Sequence, residues 1–228
     1  MEYDRKIIKE RPALDKELIE KCVAMASVMS VSCVFTDAYH REGVMDCGIQ
    51  FRSINKPFIG PALTVKLTPG DIVDCLPIFD VAQPGDVVVI DAGGTANTSI
   101  WGGLMSGLAR NAGVVGAVID GSARDTDESR MLGFPMASRS VSPRAAHSAT
   151  TRRFTPIEIN VPVCCGGIVV NPGDLIVADE IGVTSVAREE LAEVYERALS
   201  QAEKEELARN DILAGLGVEE LLAKYGRI

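Results

Sequence analysis

The sequence predicts an α/β fold with parallel strands, and three observations within residues 86–128 support that prediction. Val87–Ile90 is a short, wholly apolar and β-branched run, which is typical of a strand covered on both faces. Apolar residues then recur at helical spacing from Trp101 to Ala112, and a second apolar run follows at Val114–Ile119. A strand, a helix and a strand in this order form a right-handed crossover between parallel strands.

The carboxyl ends of these two strands carry polar residues. We expect the first strand to end at Asp91 and to pass into a loop at 92–97. Thr98 or Ser99 is expected to cap the helix, and the second strand is expected to end at Asp120. Ligands of open α/β sheets bind where strand carboxyl ends meet helix N-termini, so we place the functional site at this edge. The same edge carries a charged tetrad, namely Arg124, Asp125, Asp127 and Glu128.

Length and charge limit the class of protein. A chain of 228 residues with 46% hydrophobic residues is long enough for one sizeable core, or for one core and a helical appendage. The net charge is −9 and no basic run is present to neutralise phosphates, so nucleic acid is not expected as a partner. The charged N-terminus lacks the apolar segment of a signal peptide, and no apolar run approaches the roughly 20 residues of a membrane span. We expect a cytoplasmic protein without a membrane partner.

The six cysteines show neither the C-x-x-C spacing of a metal or redox motif nor the frame of a small secreted protein. They are expected to be reduced thiols. The adjacent pair Cys164 and Cys165 is open to two interpretations, a redox pair or two small residues of a strand.

Amphipathic patterns predict the helices outside the central segment. Apolar residues at helical spacing indicate helices over 12–27, 187–209 and 212–225. Another helix is expected to begin at Asp71 and to run over 71–82. The two C-terminal helices carry more apolar residues than a free tail would, so we expect them to pack on the core or on a neighbouring subunit.

Turns and one polar stretch separate the short strands that follow Gly60. Pro-Gly-Asp tripeptides at Pro69, Pro84 and Pro172 favour tight turns. Residues 138–155 are polar and poor in large apolar side chains, which fits either a solvated loop or a subunit contact. This stretch offers four cations to anions, namely Arg139, Arg144, Arg152 and Arg153.

The residues of the central segment support two kinds of chemistry. A helix beginning near Gly102 and Gly103 offers unpaired backbone N–H groups to an anion, although glycines there could equally serve close packing. Carboxylates around Asp125 are the ligands that Mg²⁺ prefers, and Arg124 is a forked partner for a carboxylate or an enolate. Capping of the following helix competes with metal binding for Asp125. No G-x-G-x-x-G, G-x-S-x-G or P-loop lysine is present, so nucleotide and serine-hydrolase sites are not supported.

This segment resembles the family that holds 4-hydroxy-4-methyl-2-oxoglutarate aldolases and the regulator of ribonuclease activity A. The resemblance extends over about residues 30–190, within one expected domain of residues 1–228 whose C-terminal helices occupy 187–228. Twenty residues separate Gly103 from Arg124-Asp125-x-x-Glu128, and this spacing is specific for the family but not for one activity. The other matching motifs are Gly60-Pro61-Ala62, Thr64-Val65, the PGD-VVVIDAGG run, Trp101-Gly102, FPMASR and Pro172-Gly173-Asp174 with Asp179.

The resemblance implies a layered α-β-β-α sandwich of the swivelling-domain type, assembled as a homotrimer or homohexamer with sites between subunits. It implies a divalent metal, Mg²⁺ or Mn²⁺, held by Asp125 and waters. Arg124 would contact the keto and enolate oxygens of a bound 2-keto acid, and backbone amides of the first helical turn would hold its carboxylate. That turn comprises Gly102, Gly103, Leu104 and Met105.

The activity implied is that of a metal-dependent lyase. It would cleave a 4-hydroxy-2-keto acid to pyruvate or decarboxylate oxaloacetate. Many aldolases of the family carry an acidic residue where this chain has Gly103, whereas the ribonuclease regulator also has glycine there. The alternative is therefore a non-catalytic regulator that acts by binding another protein. A glutamate that the neighbouring subunit contributes in aldolases has three candidates here, namely Glu203, Glu205 and Glu206.

Overall fold

The computed structural model describes residues 5–68, 75–146 and 155–226. Its strands are β1 (Lys6–Ile8), β2 (Gln50–Phe51), β3 (Phe58–Lys66), β4 (Val87–Trp101), β5 (Gly116–Ala123), β6 (Met136–Val141), β7 (Ile157–Ile159), β8 (Val163–Cys165), β9 (Ile168–Val170), β10 (Leu175–Ala178) and β11 (Val183–Val186). Its α-helices are α1 (Lys16–Ala24), α2 (Val31–Ala38), α3 (Gly103–Asn111), α4 (Thr126–Met131), α5 (Leu191–Leu213) and α6 (Val218–Tyr225). Short 3₁₀ helices span Met25–Ser27 and Leu76–Asp80.

The main sheet has a parallel centre. Its strand order is β1-β7-β3-β4-β5-β6-β2, and β3, β4, β5 and β6 run parallel to one another. In the predicted strand–helix–strand unit, Val88 of β4 lies opposite Ala117 of β5. The expectation of parallel strands joined through α3 is therefore confirmed.

One long strand connects the main sheet to a second layer. Residues 62–66 of β3 pair with β4, whereas residues 58–61 pair antiparallel with β10, which in turn pairs with β11. The hairpin of β8 and β9 forms a separate ladder. Because β3 takes part in both ladders, the two layers share a backbone element.

Three clusters of buried apolar side chains lie between the layers. The first includes Ile90 of β4 and Met105 of α3, on one face of the main sheet. The second includes Val89 on the other face of β4 and Ile176 of β10. The third joins Val177 of β10 to helices α1, α2 and α5. The layers follow in the order helix, sheet, sheet and helix, which confirms the α/β layered sandwich.

The loop expected at 92–97 is wrong, because β4 continues through it to Trp101. Gly93 and Gly94 have φ angles of 61° and 69°, and the register against β5 shifts between Asp91 and Trp101. Left-handed glycines of this kind form bulges, so the strand bends without ending. β5 likewise continues beyond Asp120 to Ala123.

Several helices begin or end at residues other than those that the apolar periodicity predicts. The first helix begins at Lys16 rather than at residue 12, since the Asp15 carboxylate accepts a hydrogen bond from Leu18 N at 3.0 Å and caps it. The C-terminal helices are present, with the first extending further than 209. Of the helix expected over 71–82, residues 71–74 lie outside the described residues, and Leu76–Asp80 is a 3₁₀ helix.

The turn and cysteine predictions agree with the structure where it describes them. Gly85 and Gly173 adopt φ angles of 92° and 86° in their turns, while the turn at Pro69 lies outside the described residues. All six cysteines are free thiols. In β8, Cys164 is exposed and Cys165 is buried, as the alternation of a strand requires. Within the described ranges, every helix is too short or too polar to cross a bilayer.

Candidate active site

The first turn of α3 begins without a cap from its own segment. Gly102 occupies the N-cap position in an extended conformation, so the expected caps Thr98 and Ser99 are wrong: both lie in β4. The Asp125 carboxylate, which follows β5, takes the role of the cap. Its Oδ2 accepts a hydrogen bond from Gly103 N at 3.2 Å. A cap supplied from outside the segment leaves no sequence signal beside the helix.

Asp125 itself has an unusual backbone conformation. It precedes α4 with φ 51° and ψ 43°, in the left-handed region that Asp tolerates better than most residues. Its carboxylate is turned towards α3 rather than towards the amides of α4 in the part of the chain that the structure describes. Asp125 is thus positioned before α4 but caps α3. Its Oδ2 also lies 3.3 Å from Arg124 Nε, and both side chains are 40% exposed.

Gly102 and Gly103 leave room for the charged tetrad. A Cβ on Gly102 would lie 2.7 Å from Asp125 Oδ2 and 3.1 Å from Arg124 Nε. A Cβ on Gly103 would overlap the carboxylate of Glu128 and would lie 2.8 Å from its Cγ. The glycines therefore permit close approach of the chain's own carboxylates.

The Glu128 carboxylate takes the space that a side chain at position 103 would fill. The sequence placed Glu128 in the tetrad but gave it no separate role, because its approach to Gly103 depends on how α4 packs against α3. The only signal was the fixed spacing between the glycine and the Arg-Asp-x-x-Glu motif. Asp127 is exposed, on the solvent side of α4.

A buried chain of hydrogen bonds holds α3 and α4 together. Trp101 Nε1 donates to Ser106 Oγ at 2.9 Å, and Ser106 Oγ lies 2.8 Å from Ser129 Oγ. The Trp101 ring stacks on Phe134 with the ring centroids 6.0 Å apart. These contacts fix the first turn of each helix, and with it the position of the Arg124–Asp125 pair.

The pair opens into a cavity of about 330 Å³. Its lining falls into two parts. One part is polar and consists of Arg124, Asp125 and the backbone at Gly102. The other part is mostly apolar and consists of Leu76, Ile100, Trp101, Leu104, Met105, Ala145 and Ala146, with Ser99. A small molecule with one charged end and one apolar end fits such a lining.

The strand-end aspartates form a second polar group, away from Arg124 and Asp125. Asp120 is buried, and its Oδ1 accepts from Arg139 Nε at 2.6 Å while its Oδ2 accepts from Gly166 N at 2.8 Å. The hydrogen bond to Asp120 raises the pKa of Arg139. Asp91 accepts from Cys164 N at 3.1 Å. These partners satisfy the group internally, so only the Arg124 end of the predicted edge faces the cavity.

The remaining cations and glutamates of the sequence analysis lie elsewhere. Arg144 is exposed, and its backbone oxygen accepts from Ser99 N at 2.8 Å. Arg152 and Arg153 lie outside the described residues. On α5, Glu205 and Glu206 lie 3.1 Å and 2.7 Å from guanidinium nitrogens of Arg209. Glu203 lines a separate groove beside α5.

The residues at the cavity suit a hard cation. Within the described ranges, no three His, Cys, Asp or Glu side chains form a metal-holding group. Asp125 lines the cavity, and Glu128 lies against the neighbouring backbone of Gly103, so two carboxylates lie near the N-terminus of α3. Mg²⁺ is commonly held by one or two carboxylates, with waters and substrate oxygens completing its shell. The donor set therefore fits Mg²⁺ or Mn²⁺ better than a metal that needs nitrogen or sulfur ligands.

The layered α/β sandwich is a fold that this chain shares with known proteins. Residues 30–184 match the RraA-like family, described as Aldolase/RraA. The chain belongs to this family.

Individual relatives agree with that assignment. The chain is 38% identical over 144 residues to a protein of Halalkalibacterium halodurans named "Putative 4-hydroxy-4-methyl-2-oxoglutarate aldolase", and this match covers 63% of the chain and 66% of the relative. An uncharacterized protein of Pseudomonas syringae pv. tomato has a structure similar at a TM-score of 0.79 and 26% identity, covering 96% of this chain and 99% of that one. RraAS2 of Streptomyces coelicolor, described as an unusual member of the RNase ES inhibitor RraA protein family, matches at a TM-score of 0.73 and 28% identity over 87% of this chain and all (100%) of that one.

Proposed function

We propose that this protein is a divalent-metal-dependent lyase that cleaves a 4-hydroxy-2-keto acid of the 4-hydroxy-4-methyl-2-oxoglutarate type to pyruvate, and that it also decarboxylates oxaloacetate. The single observation behind this proposal is the Glu128 carboxylate in the space beside Gly103, next to the Arg124–Asp125 pair. It supplies a second acidic group at the position where many aldolases of the family carry an acidic side chain.

Asp125 and Glu128 would hold the cation. When bound, Mg²⁺ or Mn²⁺ supplies a Lewis acid that polarises the 2-keto group. The two carboxylates also fix the negative charge of the site close to the α3 N-terminus, where Gly103 N already donates to Asp125. This arrangement keeps the cation and the substrate carboxylate at the same helix end.

The first turn of α3 would bind the substrate carboxylate. The N–H groups of Leu104 and Met105 lie in the first turn, which lacks intrahelical acceptors, while Gly103 N donates to Asp125. The helix dipole adds roughly 0.3–1 kcal/mol for an anion at an exposed site of this kind. The extended backbone of Gly102, which has no side chain, keeps the approach open.

Arg124 would stabilise the charge that develops during cleavage. As the C3–C4 bond breaks, its electron pair moves to C3 and the keto oxygen gains negative charge, giving the enolate of pyruvate. The Arg124 guanidinium lines the cavity beside Asp125 and can donate to that oxygen, which stabilises the developing charge. A water molecule takes the proton of the 4-hydroxyl group, and C3 is protonated to complete pyruvate.

A homotrimer or homohexamer is proposed for the assembly, in the cytoplasm. The support is apolar surface beside the cavity: Leu104 of α3 is 78% exposed and Met131 of α4 is 83% exposed. Large apolar side chains at this density on neighbouring helices are typical of surfaces that bind another subunit. Leu213 and Val218 extend the exposed apolar surface at the C-terminal helices.

A second candidate function is regulation of ribonuclease activity by protein–protein binding, without catalysis. The likeness to RraAS2 of the RNase ES inhibitor family favours it, as does the net charge of −9, which suits docking on a basic partner. The two candidates differ in their need for a cation.

Pyruvate release distinguishes them. Purified protein would be assayed with 4-hydroxy-4-methyl-2-oxoglutarate and with oxaloacetate, first with Mg²⁺ and then with EDTA. The lyase predicts pyruvate release that EDTA stops and that added Mg²⁺ restores. An intact oligomer that releases no pyruvate from either compound above the metal-only rate would contradict the lyase and favour the regulator.

A further inference from the structure

We infer that Ser129 of α4 is a positioning residue, which holds Asp125 in the conformation that brings its carboxylate to the N-terminus of α3. The inference rests on the proposed function, in which Asp125 holds the cation. Ser129 is fully buried inside the subunit and is not among the described lining residues of the cavity. Its effect on the site therefore passes through Asp125 rather than through contact with a substrate.

The left-handed backbone of Asp125 needs neighbours that hold it, because this conformation is unfavourable for a residue with a side chain. On one side, Arg124 N donates to Trp101 O at 2.9 Å. On the other side, the Asp125 carbonyl oxygen accepts from Ser129 N at 3.0 Å and from Ser129 Oγ at 3.2 Å. With both ends of the Arg124–Asp125 pair fixed, the Asp125 carboxylate reaches Gly103 N.

A second buried serine supports the hydroxyl of Ser129. Ser106 Oγ accepts from Trp101 Nε1 and lies 2.8 Å from Ser129 Oγ. An indole N–H can only donate, and the Asp125 carbonyl oxygen can only accept. A continuous chain between these two ends has each hydroxyl donating onward, from Ser106 to Ser129 and from Ser129 to Asp125. Hydrogen bonds in such a series strengthen one another.

The two serines occupy equivalent places but have different alternatives. Ser106 lies four residues after Gly102, the N-cap of α3, just as Ser129 lies four residues after Asp125. Ser106 Oγ has the Gly102 carbonyl oxygen as a second acceptor at 3.3 Å. Without Ser129, the Ser106 hydroxyl can turn to Gly102, whereas the Asp125 carbonyl loses its hydroxyl donor. Without Ser106, the hydroxyl of Ser129 still donates to Asp125, whereas the Trp101 N–H loses its acceptor.

This difference gives a matched pair of variants. Ser129→Ala is expected to lower the Mn²⁺ affinity, measured by electron paramagnetic resonance, by about tenfold, the lower end of the range for an outer-shell partner. Ser106→Ala is expected to lower the melting temperature more and the Mn²⁺ affinity less. An unchanged affinity in Ser129→Ala, or equal losses of affinity in the two variants, would overturn the inference.

Ser129→Thr separates the hydroxyl from the packing around it. Threonine keeps a hydroxyl that can donate to the carbonyl four residues earlier in a helix, and it adds a methyl group at a buried place. Its Mn²⁺ affinity is expected to stay close to that of the wild type even where the methyl group lowers the melting temperature. If Mn²⁺ affinity follows the melting temperature across the three variants rather than the presence of the hydroxyl at position 129, Ser129 has a structural role only.

The Gly103 amide reports the position of the Asp125 carboxylate without any metal, because Gly103 N donates to Asp125 Oδ2. In protein made with isotopically labelled glycine, its nuclear magnetic resonance signal is the one that Gly103→Ala lacks. Ser129→Ala is expected to move this amide proton to lower chemical shift, as a weakened hydrogen bond does, and Ser106→Ala is expected to move it less.

The same signal separates failure of this inference from failure of the proposed function. Wild-type protein that neither binds Mn²⁺ nor releases pyruvate would remove the lyase, and the shift of the Gly103 signal would still decide whether Ser129 positions Asp125. A Gly103 signal that does not move in Ser129→Ala would overturn the inference even in an active, metal-dependent lyase.

Discussion

The carboxylate of Glu128 lies against the backbone of Gly103, in the volume that a side chain on that residue would occupy. The two positions are thus alternatives for placing one negative charge beside the α3 N-terminus. A glycine at 103 is compatible with a carboxylate from α4, and an acidic residue at 103 would have to displace it.

Gly103→Ala is expected to push the Glu128 carboxylate away from Asp125, because the new Cβ overlaps it. Mn²⁺ affinity, measured by calorimetry or electron paramagnetic resonance, is expected to fall by at least about 10–100-fold, because the loss of an outer-shell partner alone costs that much. The melting temperature is expected to be retained, since alanine is favoured over glycine in a helix by about 1 kcal/mol.

A double variant that moves the carboxylate from position 128 to position 103 provides the control. In the double variant Gly103→Asp with Glu128→Gly, the carboxylate returns to the same space from α3, and most of the Mn²⁺ affinity is expected to return with it. If the double variant is folded but its Mn²⁺ affinity stays low, a carboxylate in this space does not determine Mn²⁺ binding.

Asp125→Ala is expected to abolish pyruvate release while leaving a folded oligomer. The change also places alanine at φ 51°, so a loss of about 1–2 kcal/mol in the free energy of unfolding is expected, and Asp125→Asn is expected to lose less. Asp127→Ala, two residues along and exposed, is the matched control and is expected to keep full activity. Full activity in Asp125→Ala would remove Asp125 from the site.

Ser106→Ala is expected to destabilise the fold. It leaves the buried Trp101 Nε1–H without its acceptor and breaks the link to Ser129, at a cost of about 1–3 kcal/mol in chemical denaturation. Ser200→Ala serves as the control, because Ser200 is also helical but lies exposed on α5, and its expected change is within about 0.5 kcal/mol. Equal stability of the two variants would argue against the buried chain of hydrogen bonds.

The Cys22 thiol gives the protein a pH dependence in the alkaline range. Burial raises the pKa of Cys22 from 9.0 to about 12. Well below pH 9.0 the thiol is protonated in both states, so it adds no pH dependence there. Between the two values the unfolded chain loses the proton first, and the free energy of unfolding is expected to fall by up to about 1.4 kcal/mol per pH unit.

Cys22→Ala tests that component. The variant is less stable at every pH because a buried side chain is truncated, so the comparison is of slopes rather than of values. Its unfolding free energy is expected to fall less steeply between about pH 9 and about pH 11 than that of the wild type. Parallel slopes would assign the alkaline loss to other groups.

Local patterns were sufficient for part of the fold and of the site. The apolar runs of β4 and β5 and the periodicity of α3 predicted the crossover and the edge where Arg124 and Asp125 meet. The course of β4 past Asp91 could not be predicted, because Gly93 and Gly94 form bulges only against β5 and the same residues also suit a loop.

Contacts between distant residues account for the rest. The capping of α3 by Asp125 and the approach of Glu128 to Gly103 join residues more than a helix apart in sequence. The second polar group at Arg139 and Asp120 likewise separates from the cavity only when β6 lies beside β5. These contacts depend on tertiary packing, so the secondary-structure propensities of the individual residues do not predict them.

The position of β3 bears on how the chain folds. The second half of β3 pairs with β4. Its first half pairs with β10, which lies much later in the sequence, and there Leu175 lies opposite Pro61. The ladder with β10 cannot form on the ribosome until β10 has been synthesised, and pairings over such long sequence separations form slowly. We therefore expect the second layer to be acquired only after most of the chain has been made, so that a truncation before β10 leaves the first half of β3 as an unpaired strand edge rather than yielding a smaller stable core.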